Sequence, residues 1–467
     1  MARVIPSGHR ATMDPLKLSA PLGGALVFLG LAGSIPLLHG SQGCSAFAKA
    51  LLTKHFREPI PMQTSAVTEV SAVLGPAPNL HAALDTVTEK LSPDVIGVLT
   101  TGLVEASGED LDGAMDAYRK RVAAATGAPG GRNDGVPPLI VAVSTPDFIG
   151  GLSDGWSAAL TALVTEVASS TGGRWPTAGG SGAGATGTLP VLTGVSQTAG
   201  DLDEIAWLVG AFGLHALLVP DLSGSLDGHL ADGWSPLTTG GTRIADLGLL
   251  REAAVVHAVA ASAAPAAAAL APLTGADVVT RPHLAGLEAV DAFVADLMEL
   301  TGRGPGRDVR RWRARFTDTL LDTHFVLGGA RVAIAAEPEH LAALATLLAG
   351  VGAEVVAAVA PTPHAVLGRL PCEEVVIGDL EDLRVRAREG GAELVIGSSH
   401  AGRIAAELGA AHVACGIPVH DRIGGALRAS VGYRGGTWFL AEAANRLLER
   451  RAHHPHPNRP SRPSIDA

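Results

Sequence analysis

The residue with the clearest chemical potential is Cys44, which ends the run His39-Gly40-Ser41-Gln42-Gly43-Cys44. The apolar run before it, residues 35–38, predicts a buried strand, and residues 46–56 carry apolar side chains at helical spacing. Cys44 is therefore expected in the first turn of a helix, where unpaired backbone N–H groups and the helix dipole favour the thiolate. A thiolate there can bind a metal or attack an electrophile. The alternative is an inert buried thiol.

A second turn with chemical potential lies at residues 100–105, directly after a strand predicted over residues 95–100. In an open parallel sheet, ligands collect at the carboxyl edge of the strands. Cys44 and Gly102 are therefore expected to face one crevice at that edge.

Two other patterns resemble functional motifs but are predicted to be structural. Residues 397–401 match a GxSxG nucleophile turn without its final glycine, and capping of the following helix by Ser398 or Ser399 explains them without catalysis. The polar loop at residues 220–243 carries acidic side chains and His229. We interpret it as a solvated loop rather than a metal site, although long ordered loops are usually functional or interfacial.

Composition and charge restrict the class of protein. A chain of 467 residues is too long for one ordinary core and predicts about three domains. Its formal charge, 35 basic minus 46 acidic side chains or -11, argues against non-specific binding to nucleic acid or to an anionic membrane. Three cysteines without a CxxC pair exclude a disulfide framework, so a reducing cytoplasm is the predicted compartment.

The alternation of predicted strands and helices divides the chain into α/β domains. The first is predicted over residues 1–171 and carries the Cys44 turn, the second over 189–302 and the third over 303–450. Residues 172–188 are rich in glycine, serine and threonine, which predicts a flexible linker. They contain a GxGxxG pattern, but no strand precedes it, so dinucleotide binding is not expected there. Residues 451–467 are predicted to be a disordered tail.

Two uncharged stretches could be mistaken for membrane segments. Residues 18–38 follow basic residues and mimic a signal peptide, but prolines and glycines divide the run into a helix and the strand before His39. Residues 253–276 are mostly alanine with two internal prolines, so a strand and a buried helix are predicted there. Neither stretch is expected to span a membrane.

Motifs spread along the chain carry a family resemblance. They are His39 to Cys44, His55-Phe56-Arg57-Glu58-Pro59-Ile60, Thr68-Glu69-Val70, Asp227-Gly228-His229-Leu230, Ser235-Pro236-Leu237-Thr238-Thr239-Gly240-Gly241-Thr242 and Val431-Gly432-Tyr433-Arg434-Gly435. With these motifs, residues 14–450 resemble the nitrogenase component 1 superfamily, and within it the branch of NifN cofactor biosynthesis proteins. The resemblance implies three Rossmann-like domains with parallel sheets flanked by helices, and an α2β2 heterotetramer with a NifE-like chain.

The sequence departs from the nitrogenase β subunit at its cysteines. That family carries cysteines for an eight-iron cluster at the positions of both Cys44 and Gly102, whereas this chain keeps only Cys44. An eight-iron cluster needs thiolates from both places, and a four-iron cluster needs four ligands in total. The resemblance therefore implies that Cys44, as cofactor and metal ligand, completes a [4Fe-4S] cluster held mainly by the partner chain. Cys372 and Cys415 are predicted to be core residues.

The function implied by the resemblance is a scaffold without catalytic residues. On it, a transient precursor of the iron-molybdenum cofactor would be matured with molybdenum and homocitrate before transfer to apo-nitrogenase. The implied contacts are the NifE-like chain, the nitrogenase iron protein, a cluster donor and apo-nitrogenase. The alternative is an electron-transferring β-type subunit of nitrogenase or of a nitrogenase-like reductase.

Overall fold

The computed structural model describes residues 1–124, 137–169, 187–230 and 233–453. Most of the predicted linker at 172–188 lies outside these residues, as does the predicted tail from residue 454 onward. Residues 451–453 differ from the prediction, because they continue the last helix, Gly432–His453.

The strands in the described residues form three parallel sheets. The first has the order β3-β2-β4-β5, the second β7-β6-β8-β9 and the third β1-β12-β11-β10-β13-β14. The predicted α/β class with several parallel sheets is therefore confirmed. The strands are β1 (Arg3–Pro6), β2 (Ser34–His39), β3 (Gln63–Thr64), β4 (Val95–Thr100), β5 (Leu139–Val143), β6 (Thr188–Leu192), β7 (His215–Val219), β8 (Val255–Ala258), β9 (Asp277–Thr280), β10 (Arg331–Ala335), β11 (Glu354–Ala360), β12 (Glu374–Ile377), β13 (Leu394–Gly397) and β14 (Ala411–Ala414).

Helices connect the parallel strands and cover the sheets, as the right-handed crossovers of such sheets require. They are α1 (Ala20–Leu29), α2 (Gln42–Phe56), α3 (Glu69–Leu74), α4 (Ala77–Leu91), α5 (Gly102–Ser107), α6 (Leu111–Ala124), α7 (Leu152–Ser169), α8 (Ala199–Gly210), α9 (Ile244–Leu247), α10 (Ala264–Thr274), α11 (Leu287–Thr301), α12 (Arg307–Leu327), α13 (Pro338–Ala349), α14 (Leu380–Glu389), α15 (Ala401–Leu408) and α16 (Gly432–His453).

The first sheet brings the two predicted turns together. Its central strands β2 and β4 are buried along their whole length, which explains why both are continuous apolar runs. They pair in parallel and in register, with His39 opposite Thr100. The turns that follow the two strands therefore leave the sheet side by side.

The start of the chain does not join the first sheet. Strand β1 pairs with β12 at the edge of the third sheet, with Arg3 opposite Glu374. Residues 3–6 were assigned to the first domain because a four-residue, largely exposed strand has too little periodicity to reveal its partner. The other domain boundaries remain a prediction.

The apolar segment before Cys44 is a core helix. All ten residues of α1 are buried, and the helix packs on α7. The two helix backbones lie so close that a Cβ on Gly23 would be 1.9 Å from the Leu152 carbonyl oxygen. In the described parts of the chain, we find no helix with the length and apolar character needed to cross a bilayer.

Two carboxylates at the start of α13, the half-buried Glu337 and the buried Glu339, connect the three sheets. Glu337 accepts a 2.6 Å hydrogen bond from the hydroxyl of Ser153 at the start of α7. Glu339 accepts backbone hydrogen bonds from Ser196 at 3.0 Å and from Ser262 at 2.7 Å, both beside the second sheet. The first and second domains therefore each dock on the third through a carboxylate.

Glu337 makes this junction sensitive to pH. Burial raises its pKa from 4.5 to about 7, against the opposing effect of the Ser153 hydrogen bonds. Because the folded pKa is raised, the associated stability is complete below pH 4.5 and is lost as pH rises towards 7. In the parent chain we expect the free energy of unfolding to fall by roughly 2–3 kcal/mol between pH 5 and pH 8 because of Glu337. Glu337→Gln should abolish this fall.

Urea unfolding at the two pH values, followed by tryptophan fluorescence, measures this effect. The exposed Glu407→Gln is the matched control and should leave the pH dependence unchanged. An unchanged pH dependence in Glu337→Gln would show that Glu337 is ionised in the folded chain throughout this range.

Candidate functional site at the carboxyl edge of the first sheet

Cys44 is exposed in the first turn of α2, as the sequence predicts. The helix has Ser41 at its N-cap, but the Ser41 side chain does not cap the helix backbone. Its hydroxyl lies 3.4 Å from the Cys44 sulfur instead. The sulfur is therefore open to a ligand outside this chain, which argues against the interpretation of Cys44 as an inert buried thiol.

A buried histidine supports the turn from behind. His39 is fully buried, its Nδ1 lies 2.8 Å from the Ser65 hydroxyl, and the Gly40 N–H donates to the same hydroxyl at 3.1 Å. Burial lowers the pKa of His39 to about 4, so the ring is neutral at physiological pH. Its Nε2 has no hydrogen-bond partner in the described residues. His39 therefore holds the turn in place and is remote from solvent.

The turns after β2 and β4 touch each other. Thr101 donates its N–H to the His39 carbonyl at 3.1 Å, and a Cβ on Gly40 would lie 2.2 Å from the Thr101 hydroxyl oxygen. Only glycine permits this approach. Cys44 and Thr101 line one groove, so the two turns are neighbours, but Gly102 is not among the residues that line it. That Gly102 faces the crevice of Cys44 therefore stays a prediction.

The carboxylate of Asp147 lies beside Gly102. It accepts the N–H of Ala20 at 3.1 Å and the N–H of Gly102, the first residues of α1 and α5. It thereby caps two helices at once, and burial nevertheless raises its pKa. A Cβ on Gly102 would lie 3.7 Å from its Oδ2, an ordinary contact. A Cβ is therefore tolerated at residue 102.

The groove that contains Cys44 has a volume of about 860 Å³ and separates the first domain from the third. One wall consists of α2, with Phe47 73% exposed. Further large apolar side chains are exposed on elements that follow β3, β4 and β5. They are Val70, Val73, Leu74, Leu103, Phe148 and Ile149. Such a concentration of exposed apolar groups is typical of a protein interface.

The other two cysteines lie elsewhere. Cys372 precedes β12 and Cys415 follows β14, both in the third sheet, and both are partly buried against the main core. Burial raises the pKa of both thiols, that of Cys415 to about 12. Neither side chain lines the groove of Cys44. No three histidine, cysteine or acidic side chains converge as a metal site in the parts of the chain that the structure describes.

The structure corrects the interpretation of Ser399. Helix α15 has His400 at its N-cap and no side-chain cap, so neither Ser398 nor Ser399 caps it. The Ser399 hydroxyl instead donates to Asp421 and accepts the His420 N–H. In the described residues no histidine ring bonds to the Ser399 hydroxyl as in a nucleophile elbow, so these two contacts indicate a structural role for the motif.

The acidic loop of the second domain packs against the first. The backbone N–H of Gly228 approaches the Glu58 carboxylate, and burial raises the pKa of Glu58. His229 lies 2.5 Å from the Asp227 carboxylate. This loop is therefore an interdomain contact. The sequence analysis interpreted it as a solvated loop rather than a metal site.

Sequence reasoning missed Asp147 and the apolar surface around the groove. Asp147 lies in the run Thr145-Pro146-Asp147-Phe148-Ile149, in which two apolar residues follow a strand where a polar turn is expected. That pattern was the available signal. Nothing in the sequence indicates that the apolar face of α3 is exposed, because Val70, Val73 and Leu74 have the spacing of an ordinary buried helix face.

Comparison with known proteins agrees with this geometry. The family model of the nitrogenase component 1 type oxidoreductases matches residues 19–448. The NifN protein of Rhodobacter capsulatus is 39% identical over 459 residues, which are 98% of this chain and 95% of the relative. That of Rippkaea orientalis is 40% identical over 463 residues, 95% of this chain and 96% of the relative. A solved structure, nitrogenase Cp1 at pH 6.5, superposes with a TM-score of 0.85 at 26% identity and 97% coverage of both chains.

The three parallel sheets and the cysteine turn at the edge of the first thus define a protein of the nitrogenase component 1 type. The chain belongs to this family and, within it, to the NifN proteins, the nitrogenase iron-molybdenum cofactor biosynthesis proteins.

Proposed function

We propose that this chain is a scaffold subunit for assembly of the nitrogenase iron-molybdenum cofactor, and that with a NifE-like partner it shares a four-iron cluster at their interface. The relatives of 36–40% identity are named for biosynthesis of that cofactor. The observation that carries the proposal is the exposed sulfur of Cys44 on a surface of exposed apolar side chains.

The residues around Cys44 fit one corner of such a cluster. A cluster of this type takes four thiolates and supplies one-electron transfer when bound. This chain offers one accessible sulfur in the groove, because Cys372 and Cys415 lie in the third sheet. The remaining ligands must therefore come from the partner.

The other side chains at the site orient the sulfur and exclude water. His39, Ser65 and Thr101 hold the turn through hydrogen bonds, so Cys44 is presented on a rigid element. Phe47 and Leu103 stand beside the two turns and would be covered by the partner chain. Burial beneath apolar groups protects an iron-sulfur cluster from solvent and tunes its potential.

The proposed assembly is a cytoplasmic α2β2 heterotetramer with the NifE-like chain. The cofactor precursor is transient cargo, delivered by a cluster donor, processed with the nitrogenase iron protein and passed to apo-nitrogenase. No residue of this chain is assigned a catalytic role in these steps.

Purification of the chain with its endogenous partners, followed by mass identification and iron analysis, tests the proposal. We expect a two-chain complex with interface iron and without dinitrogen reduction. Size exclusion of the chain expressed alone should show aggregation or weak association, because the apolar surface is then uncovered. A stable monomer that binds its full iron content would contradict the proposal. Substrate turnover by the complex would favour the reductase alternative.

Substitution of Gly102 separates the scaffold from a nitrogenase β subunit. Gly102→Cys adds a thiol in the turn that neighbours the Cys44 turn, at a position where a Cβ makes only ordinary contacts. We expect the variant to keep its four-iron cluster and to gain no dinitrogen reduction, because the partner's ligands already complete that cluster. Gly102→Ser, of nearly the same size and without the thiol, is the control. Electron paramagnetic resonance and iron counting are the measurements, and an eight-iron signal in Gly102→Cys alone would refute the expectation.

A further inference from the structure

The groove that contains Cys44 is also lined by a pair of histidines, His400 and His420. His400 stands at the N-cap of α15, and His420 follows Pro418 after the last strand of the third sheet. Their ring centroids are 5.7 Å apart and the ring planes meet at 72°. Both histidines are exposed, and in the described part of the chain neither ring nitrogen pair is hydrogen-bonded to protein, whereas the backbone N–H of His420 donates to Ser399.

The separation of the rings fits metal chelation. A tetrahedral metal bound to two imidazoles at about 2.0–2.1 Å holds the ring centres roughly 5–6 Å apart. Imidazole binds metal through a neutral ring nitrogen, and burial together with the neighbouring His420 lowers the pKa of His400. Imidazole nitrogens suit late first-row divalent cations.

The charged groups near the pair are already matched to one another. Arg403 forms a 2.5 Å ion pair with Asp14, and Asp421 accepts the Ser399 hydroxyl. Lys17 donates to the Asp147 carbonyl at 2.8 Å. The ring nitrogens of His400 and His420 therefore remain the unengaged donors in this part of the groove.

We propose that His400 and His420 form a labile site for a late first-row divalent cation, such as Fe²⁺ or Zn²⁺, in the groove that contains Cys44. Two protein ligands leave coordination positions open for water or sulfur donors, so the ion stays exchangeable. The site stands whether or not Cys44 holds a cluster, since neither histidine depends on the sulfur.

Zn²⁺ titration by calorimetry tests the site in the full chain within its purified complex. All samples carry His453, His454 and His456→Ala, so that the clustered histidines of the tail do not contribute. We expect His400→Ala and His420→Ala each to weaken one site by roughly 10-fold or more. His215→Ala, an exposed histidine on β7 of the second sheet, is the matched control and should leave all sites unchanged.

Three results would overturn the inference. One is an unchanged Zn²⁺ affinity in both His400→Ala and His420→Ala. Another is a loss of Zn²⁺ affinity in His215→Ala that equals the loss in those two variants. The third is loss of the four-iron cluster in His400→Ala together with lost Zn²⁺ binding, because the histidines would then support the fold of the groove. Cys44→Ala should instead retain the Zn²⁺ site while it loses the cluster, which separates this inference from the proposed function.

Discussion

Replacement of Cys44 by alanine is expected to make the interface cluster labile or absent while the two chains still associate. The sulfur is exposed, and its hydrogen-bonding contact among the described residues is the Ser41 hydroxyl at 3.4 Å. Its loss should therefore change the free energy of unfolding by about 0.5 kcal/mol or less. The cluster loses a ligand from this chain, so we expect release of iron to a chelator to be roughly 10-fold faster or more. Electron paramagnetic resonance with iron counting on the reduced complex is the measurement.

Cys372→Ala is the matched control for this experiment. Its thiol is partly buried beside β12, outside the groove, and donates to the Glu374 carbonyl at 3.5 Å. It should leave the cluster signal intact. If Cys44→Ala also left the signal and its lifetime untouched, the shared cluster would not use Cys44, and the sulfur would have no assigned ligand.

Replacement of Arg434 by alanine should cause a large loss of stability. Arg434 pairs with Glu204 of α8, whose side chain is only 2% exposed, and stacks on Trp207 at 4.1 Å. Burial raises the pKa of Glu204 even with the arginine present, so the carboxylate depends on this partner. Breaking a buried pair from one side leaves an uncompensated charge, and we expect a loss of roughly 3 kcal/mol or more. Urea unfolding measures it.

The pH dependence and a double mutant identify the cause. Without Arg434 the folded pKa of Glu204 rises further, so stability should fall from pH 5 to pH 8 more steeply than in the parent. Glu204→Gln combined with Arg434→Ala should recover part of the loss. Arg243→Ala, which breaks an exposed ion pair with Asp246, is the control and should cost about 1 kcal/mol or less. Equal losses at positions 243 and 434 would show that the Glu204 pair is effectively solvated.

The Val431 to Gly435 motif, in which Arg434 lies, shows what a motif can and cannot reveal. Its presence supports the family resemblance, but its task is visible only in the fold. The N–H groups of Ser430 and Val431 donate to the buried Asp201, and Tyr433 donates to Asp291 at 2.6 Å. The motif joins the end of the third domain to the helices of the second through contacts that span 142 to 230 residues of chain.

Much of this protein follows from its sequence. The strand at residues 95–100 was predicted to the residue, and the helix that begins with the Cys44 turn was predicted within a few residues. Both succeed because continuous apolar runs and helical spacing are local patterns, set by burial on two faces or on one. The strand-turn-helix pattern around Cys44 likewise placed the cysteine turn at the carboxyl edge of the sheet.

The tertiary structure decided what depends on distant partners. It placed β1 in the third sheet, put Asp147 over the starts of two helices and brought His400 beside His420. It also left α3 with an exposed apolar face, although the spacing of its residues resembles that of a buried helix. Local propensity cannot encode these outcomes, because pairing, burial and charge matching arise only when segments far apart in the chain pack together.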